Sequence, residues 1–144
     1  MTTIAAILDD FAVLDAWDDR YRYLIELGRS LPAMAEADHN AANKVQGCAS
    51  QVWLATTVAT DEAGAPRLVF AGDSDAHIVR GLVAVVLAIF SGKSAAEILA
   101  TDAEAIFAQL DLRAHLSSQR SNGLRAMVAR IKAEAQAALA AQSA

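Results

Sequence analysis

Between Ile78 and Phe90 the chain sets Ile78, Val79, Leu82, Val83, Val85, Val86, Leu87, Ile89 and Phe90 on nearly every face of one predicted helix. A helix that is apolar all round cannot lie on a surface, so the rest of the chain must surround it. Its most apolar window, Leu82 to Phe90, is too short to be a bilayer span, which needs about 20 such residues. Protein, not membrane, is therefore its expected environment. With 144 residues the chain suits one domain built around that helix, since two domains would each fall near the lower size limit for a stable core. Alanine supplies 34 of those residues, which points to helices packed closely through small side chains.

The remaining elements follow from periodicity and punctuation. Ile4, Ile7, Leu8, Phe11 and Leu14 recur at helical spacing behind Thr3, a suitable N-cap. Asp15 is expected to cap a second helix carrying Trp17, Tyr21, Leu24, Ile25 and Leu27, with Pro32 beyond its end. The two make a helical hairpin over residues 3–30. Pro32 to Asn43 has no clear period and reads as a loop. Gln51–Thr57 and Arg67–Phe70 are rich in β-branched and aromatic residues, and Asp61 to Pro66 supplies a turn between them. Val45 and Gln46 are expected to add a short third strand before Gly47 breaks it, so that a loop and hairpin occupy 44–71.

Helices are expected over 74–141. Asp73 or Ser74 is placed to cap the apolar helix. Ser94-x-x-Glu97 and Thr101-x-x-Glu104 read as capping boxes, and a last helix begins near Ser118. The expected fold class is α+β: a small three-stranded antiparallel sheet covered by helices.

Charge and leader patterns narrow the function. With 17 acidic against 12 basic residues the net charge is −5, and the densest basic stretch, Arg113 to Lys132, is spread along a helix, so nucleic acid is not an expected partner. The N-terminus lacks a basic region followed by an apolar run. No secretory signal is read there, and a cytoplasmic protein is expected.

The single cysteine, Cys48, sits among Gly47, Ala49, Ser50 and Gln51, a turn-like setting rather than an apolar stripe. A lone thiol forms neither an intrachain disulfide nor a thiolate cluster. It is either small core filler or a reactive group, and with few activators nearby it suits thiol exchange better than acyl transfer. None of His39, His77 and His115 has metal-ligand spacing, so no metal and no bound cofactor are expected. His115 precedes the last helix close to Arg120, and a Cys48–His115 pair across the fold is one reading. Gly72-Asp73-Ser74-Asp75 has no lysine and is not a phosphate loop. Asp75 and Arg120 are candidates for an ion pair or for contact with a partner.

The run Asn43 to Leu54, with Gly47-Cys48-Ala49-Ser50-Gln51-Val52-Trp53 at its centre, resembles the sulfur-acceptor segment of the SufE/CsdE family, the cysteine desulfuration proteins. Gly72-Asp-Ser-Asp-Ala76 with Ile78 to Leu82, His115-Leu116-Ser117 through Asn122-Gly123-Leu124, and Tyr23 to Gly28 with Leu31-Pro32 resemble the family in the same order. Together they span about Asp15 to Ile131. Ser118, where the family often has proline, and a slightly long turn at Asp61 to Pro66 depart from the pattern.

The resemblance implies a fold similar to the SufE and IscU type. It implies Cys48 as the acceptor of persulfide sulfur from a cysteine desulfurase, a partner that itself carries pyridoxal phosphate, and delivery to an iron–sulfur cluster scaffold downstream. Asp75 and Arg120 match positions that in the family lie near the acceptor loop or the partner surface, and Gln51, whose side chain offers a donor for a sulfur anion, and His115 complete the loop-supporting or partner-binding candidates. The rivals are a thiol-dependent hydrolase using Cys48 with His115, and a non-catalytic partner-binding module with a structural cysteine.

Overall fold

The computed structural model describes residues 2–143, so Met1, where the N-terminal reading begins, lies outside it. In chain order come α1 (Ile4–Val13), α2 (Trp17–Arg29), a single 3-10 turn (Glu36–Asp38), β1 (Val52–Thr60), β2 (Pro66–Ser74), α3 (His77–Phe90), α4 (Ala95–Ala100), α5 (Ala103–Gln109), α6 (Leu112–His115) and α7 (Ser118–Ser143). The all-round apolar helix is α3, and only His77, Arg80 and Ala88 in it escape full burial. Each buried Val, Leu or Ile there contributes about 1.5–3 kcal/mol relative to exposure, so this helix anchors the core.

Three layers enclose it. The first is α2, which approaches so closely that a Cβ on Gly81 would sit 2.1 Å from the Leu24 carbonyl oxygen. The second is the inner face of the sheet, formed by Val52, Leu54, Leu68 and Phe70. The third is α7, which brings Leu124, Met127 and Ile131 into the same core. Side chains join α1 to α2: Arg20 donates to the Leu14 and Phe11 carbonyls at 2.7 and 2.9 Å, and the Tyr23 hydroxyl donates to Asp10 at 2.6 Å.

The sheet has two strands, not the expected three. β1 and β2 pair antiparallel from Val52↔Ser74 to Thr60↔Pro66, and both run longer than their β-branched cores suggested. The segment read as a third strand reduces to one bridge, Lys44 to Trp53, with Val45 N–H donating to Val52 and Leu54 N–H donating to Asn43, each at 2.8 Å. Two causes cut it short. Asn40 and Asn43 satisfy backbone groups locally, with Asn43 N–H donating to Asn40 Oδ1 and Asn43 Nδ2 donating to the Asp38 carbonyl. Gly47 then turns the chain at φ 89°, a left-handed conformation that ends a ladder. The outer edge of β2 is covered, because Leu68 exchanges backbone hydrogen bonds with Gly92 and Lys93.

Caps divide between expectation and correction. Thr3 caps α1, and Ser94 with Glu97 forms the reciprocal capping box of α4. The second box shifts by one residue: Asp102, not Thr101, accepts from Ala105 N–H, while the Thr101 hydroxyl donates back to Glu97. α2 has Ala16 at its N-cap, not the expected Asp15, and no side-chain cap, and Asp18 and Asp19 in its first turn complement the helix dipole instead. α3 likewise has an uncapped Ala76 at its start, because β2 continues through Asp73 and Ser74. Among the described residues no helix is long and apolar enough to cross a membrane.

Candidate functional site

Cys48 follows Gly47 in the short stretch between the Lys44 bridge and β1. Its side chain is half-buried, and Sγ lies 3.7 Å from the Gly123 carbonyl oxygen on α7, a long contact in which the thiol donates. A Cβ on Gly123 would sit 3.6 Å from Sγ, an ordinary van der Waals contact, so the thiol rests against α7 without depending on a bare backbone there. Beside it opens a cavity of about 300 Å³, with Val79, Leu82 and Met127 as an apolar floor and Ser50, Ser117 and Arg120 bringing polar groups. Burial pushes the Cys48 thiol above its ordinary pKa, so at rest it is protonated at neutral pH.

The candidates around it divide. Gln51 acts through its backbone: its N–H donates to Asp75 Oδ1 at 3.0 Å, and Asp75 N–H donates back to the Gln51 carbonyl at 3.3 Å. This reciprocal pair ties the downstream flank of the Cys48 loop to the residue just past β2. Arg120 lies on the cavity, its guanidinium over the Tyr21 ring and Nη1 donating to the Tyr21 hydroxyl. Asp75 and Arg120 thus hold different partners, and no ion pair joins them.

His115 is turned elsewhere. Its ring stacks on Trp17 with centroids 4.0 Å apart, Nε2 is 3.4 Å from Asp111 Oδ2, and it is not part of the cavity wall. The Cys48–His115 pair does not form in this structure.

Several residues support the site in roles that the sequence pattern did not assign to them. Arg130 on α7 donates to the Ala42 and Lys44 carbonyls at 2.7 and 3.4 Å and so holds the chain leading into the loop. His39, Asp73 and Arg80 form a second polar cluster at the end of β2. Tyr21 carries Arg120. Asp73 in Gly72-Asp73-Ser74-Asp75 was the available signal for the His39 cluster, but a helix cap is what its local pattern suggests; Asp75 was already a candidate for partner contact. Among the described residues no group of three or more His, Cys, Asp or Glu side chains is placed to hold a metal ion.

Comparison with known proteins bears on this geometry. The family profile "SufE: Fe-S metabolism associated domain" matches residues 5–135. A relative from Rhizobium meliloti, described as an uncharacterized SufE-like protein, is 62% identical over 141 residues, covering 98% of this chain and 100% of the relative. A SufE-like protein of Rhizobium etli is 58% identical, covering 98% and 95%. The sulfur acceptor protein CsdE of Escherichia coli is 46% identical over 128 residues, covering 88% and 84%. A solution structure of a hypothetical protein from Thermus thermophilus shares the fold, with a TM-score of 0.70 at 21% identity over 95% of this chain and 96% of that one.

Proposed function

The chain belongs to the SufE family, and from that premise we propose that Cys48 is the residue on which it receives sulfur. It is a sulfur acceptor and activator for a cysteine desulfurase, a transfer partner rather than a stand-alone enzyme. One observation carries the assignment to Cys48. The only thiol of the chain stands in a glycine-hinged loop against an open cavity, held by contacts weak enough to exchange.

The chemistry is thiol exchange. The Cys48 thiolate attacks the outer (sulfane) sulfur of a persulfide on the donor. A new S–S bond forms at Cys48, the donor's S–S bond breaks, and the donor cysteine leaves as a thiolate, with no net change in oxidation level. Two features of the resting site regulate this step. Burial keeps the thiol protonated and shielded from over-oxidation. Leaving the cavity restores hydration, lowers the pKa and exposes the sulfur to its donor in one movement. Gly47 supplies the hinge, and the Gln51–Asp75 backbone pair limits the travel of the other flank.

The donor is a desulfurase whose own pyridoxal phosphate does the carbon–sulfur chemistry. The consumer is an iron–sulfur assembly scaffold. Arg120 at the cavity rim presents a cation toward the partner's approaching surface. A cytoplasmic setting belongs to the same proposal, because a persulfide carrier with one thiol needs a reducing compartment. Incubation with a desulfurase and free cysteine, followed by intact-mass measurement, is expected to show a gain of one sulfur atom, reversed by reductant and absent in Cys48→Ser. Desulfurase stimulation that survived Cys48→Ser would remove the acceptor role and favour a binding module.

A further inference from the structure

His39, Asp73 and Arg80 come from three elements and meet at the end of β2, outside the Cys48 cavity. His39 Nε2 lies 2.7 Å from Asp73 Oδ2, and Nδ1 faces the Ala35 carbonyl oxygen at 3.1 Å. Both partners accept, and neither can donate. A neutral imidazole has one N–H and would turn a lone pair toward one of them, so only the imidazolium satisfies both.

Asp73 is held in turn. Its Oδ1 accepts from the Ser74 amide at 2.8 Å and lies 3.1 Å from Arg80 Nε, a buried nitrogen with no hydrogen-bond partner, which acts there as a charge. On its own turn the neighbouring ionisable residues are Glu36 and Asp38, and Lys44 bridges by backbone to Trp53. β1 contributes the uncharged Trp53, whose ring meets the imidazole edge-on with centroids 4.8 Å apart.

This cluster bears on the loop through chain connectivity. Asp73 grips His39 upstream of Cys48, and Asp75, two residues on, grips Gln51 downstream. The end of β2 therefore holds both flanks of the loop. The intervening contacts, Asn43 and Val45 to β1 and Arg130 to Ala42 and Lys44, do not change charge near neutral pH. We infer that His39 is a positioning residue for the sulfur-accepting thiol: as an imidazolium it clamps the upstream flank to β2, and its deprotonation frees Cys48 to leave the cavity. The inference rests on the acceptor reading for its functional meaning, but not for its test.

The sign follows from the partners. The Asp73 hydrogen bond, aided by its charge and by the Ala35 and Glu36 carbonyls, outweighs partial desolvation and raises the His39 pKa above the ordinary histidine value. For Asp73, partial burial opposes ionisation, but hydrogen bonds from His39 and Ser74 and the charges of Arg80 and His39 prevail and lower its pKa. The clamp is complete below about pH 6.5, the unfolded histidine value, and is lost as pH rises through the higher folded value.

The test is the rate of Cys48 alkylation by iodoacetamide in the free protein, from about pH 5.5 to 9.5, spanning histidine and cysteine titration. Wild type is expected to show a lower inflection at the His39 titration, where the rate per thiolate rises about three-fold, beneath the thiol's own inflection. His39→Arg, with a permanent cation, loses the lower step and stays at the slow value. His39→Gln, with a donor but no titration, loses it and stays at the fast value.

A lower step that persists in His39→Gln, or is absent from wild type, overturns the inference. Should a variant fail to fold, the ring-nitrogen NMR titration of wild-type His39 decides. Both ring nitrogens protonated below the lower step, with one proton lost through it, support the clamp, and a ring singly protonated throughout that range refutes it. No desulfurase enters this assay. Absence of persulfide with an intact step removes the acceptor reading alone, and persulfide formation without the step removes the clamp alone.

Discussion

Two regions of this molecule depend on glycine for opposite reasons. At the α2–α3 seam Gly28 and Gly81 remove side chains so that two helix backbones can touch, and a Cβ at Gly28 would lie 2.7 Å from the Gly81 nitrogen. Nothing there can yield, because the neighbouring atoms are backbone. At the Cys48 loop Gly47 has room for a Cβ, its nearest neighbour being Ala126 at 3.4 Å, but the backbone stands at φ 89°. The seam is fixed by contact, whereas the loop is shaped by conformation and held by a few polar bonds. A sulfur carrier needs both: a core that does not move and a thiol that does.

Substitutions can break or sharpen that contrast. Gly81→Ala drives a methyl group into the Leu24 carbonyl and is expected to destabilise the fold by about 3 kcal/mol or more, read as a lower urea midpoint at unchanged slope. A loss below 1 kcal/mol would mean the helices slide apart easily, and the seam would not be rigid. Gly47→Ala is expected to cost about 1–2 kcal/mol, the strain of a left-handed alanine, and to alter Cys48 alkylation more than it alters the midpoint.

Asp75→Ala removes the acceptor for Gln51 N–H at an exposed site and should cost about 1 kcal/mol or less. It should still raise Cys48 alkylation several-fold, since it frees the downstream flank. Equal rates would show that the Asp75 bond does not restrain the loop. Val58→Thr, on a side chain 53% exposed at the far end of the hairpin, should change neither quantity beyond about 0.5 kcal/mol.

The sequence disclosed the buried helix and the thiol more readily than what holds the thiol. Ile78 to Phe90 is apolar in every direction, a pattern that burial alone explains, so α3 and its enclosure were legible. The Ser94–Glu97 box and the Ser118 start of α7 were local signals and were read correctly. The third strand was misjudged because Val45 and Gln46 carry strand-like side chains, while the bonds that end the ladder belong to Asn40, Asn43 and the backbone of Gly47.

Likewise Asp73 looked like a helix cap, since its true partner, His39, is 34 residues away and no local pattern joins them. Gln51 was picked for its side chain, yet its backbone makes the contact that matters. His115 lay near Arg120 in sequence, but its stacking on Trp17 turns it from the cavity. Long-range polar pairs have no periodicity, and this is why the site was less visible than the core.

The central claim is that sulfur arrives on Cys48, and intact mass spectrometry after exposure to a cysteine desulfurase and cysteine tests it most directly. The account predicts a reductant-reversible gain of one sulfur atom on the wild-type chain and none on Cys48→Ser of unchanged stability. A sulfur adduct retained by Cys48→Ser, or none on wild type while desulfurase turnover still rises, would contradict it.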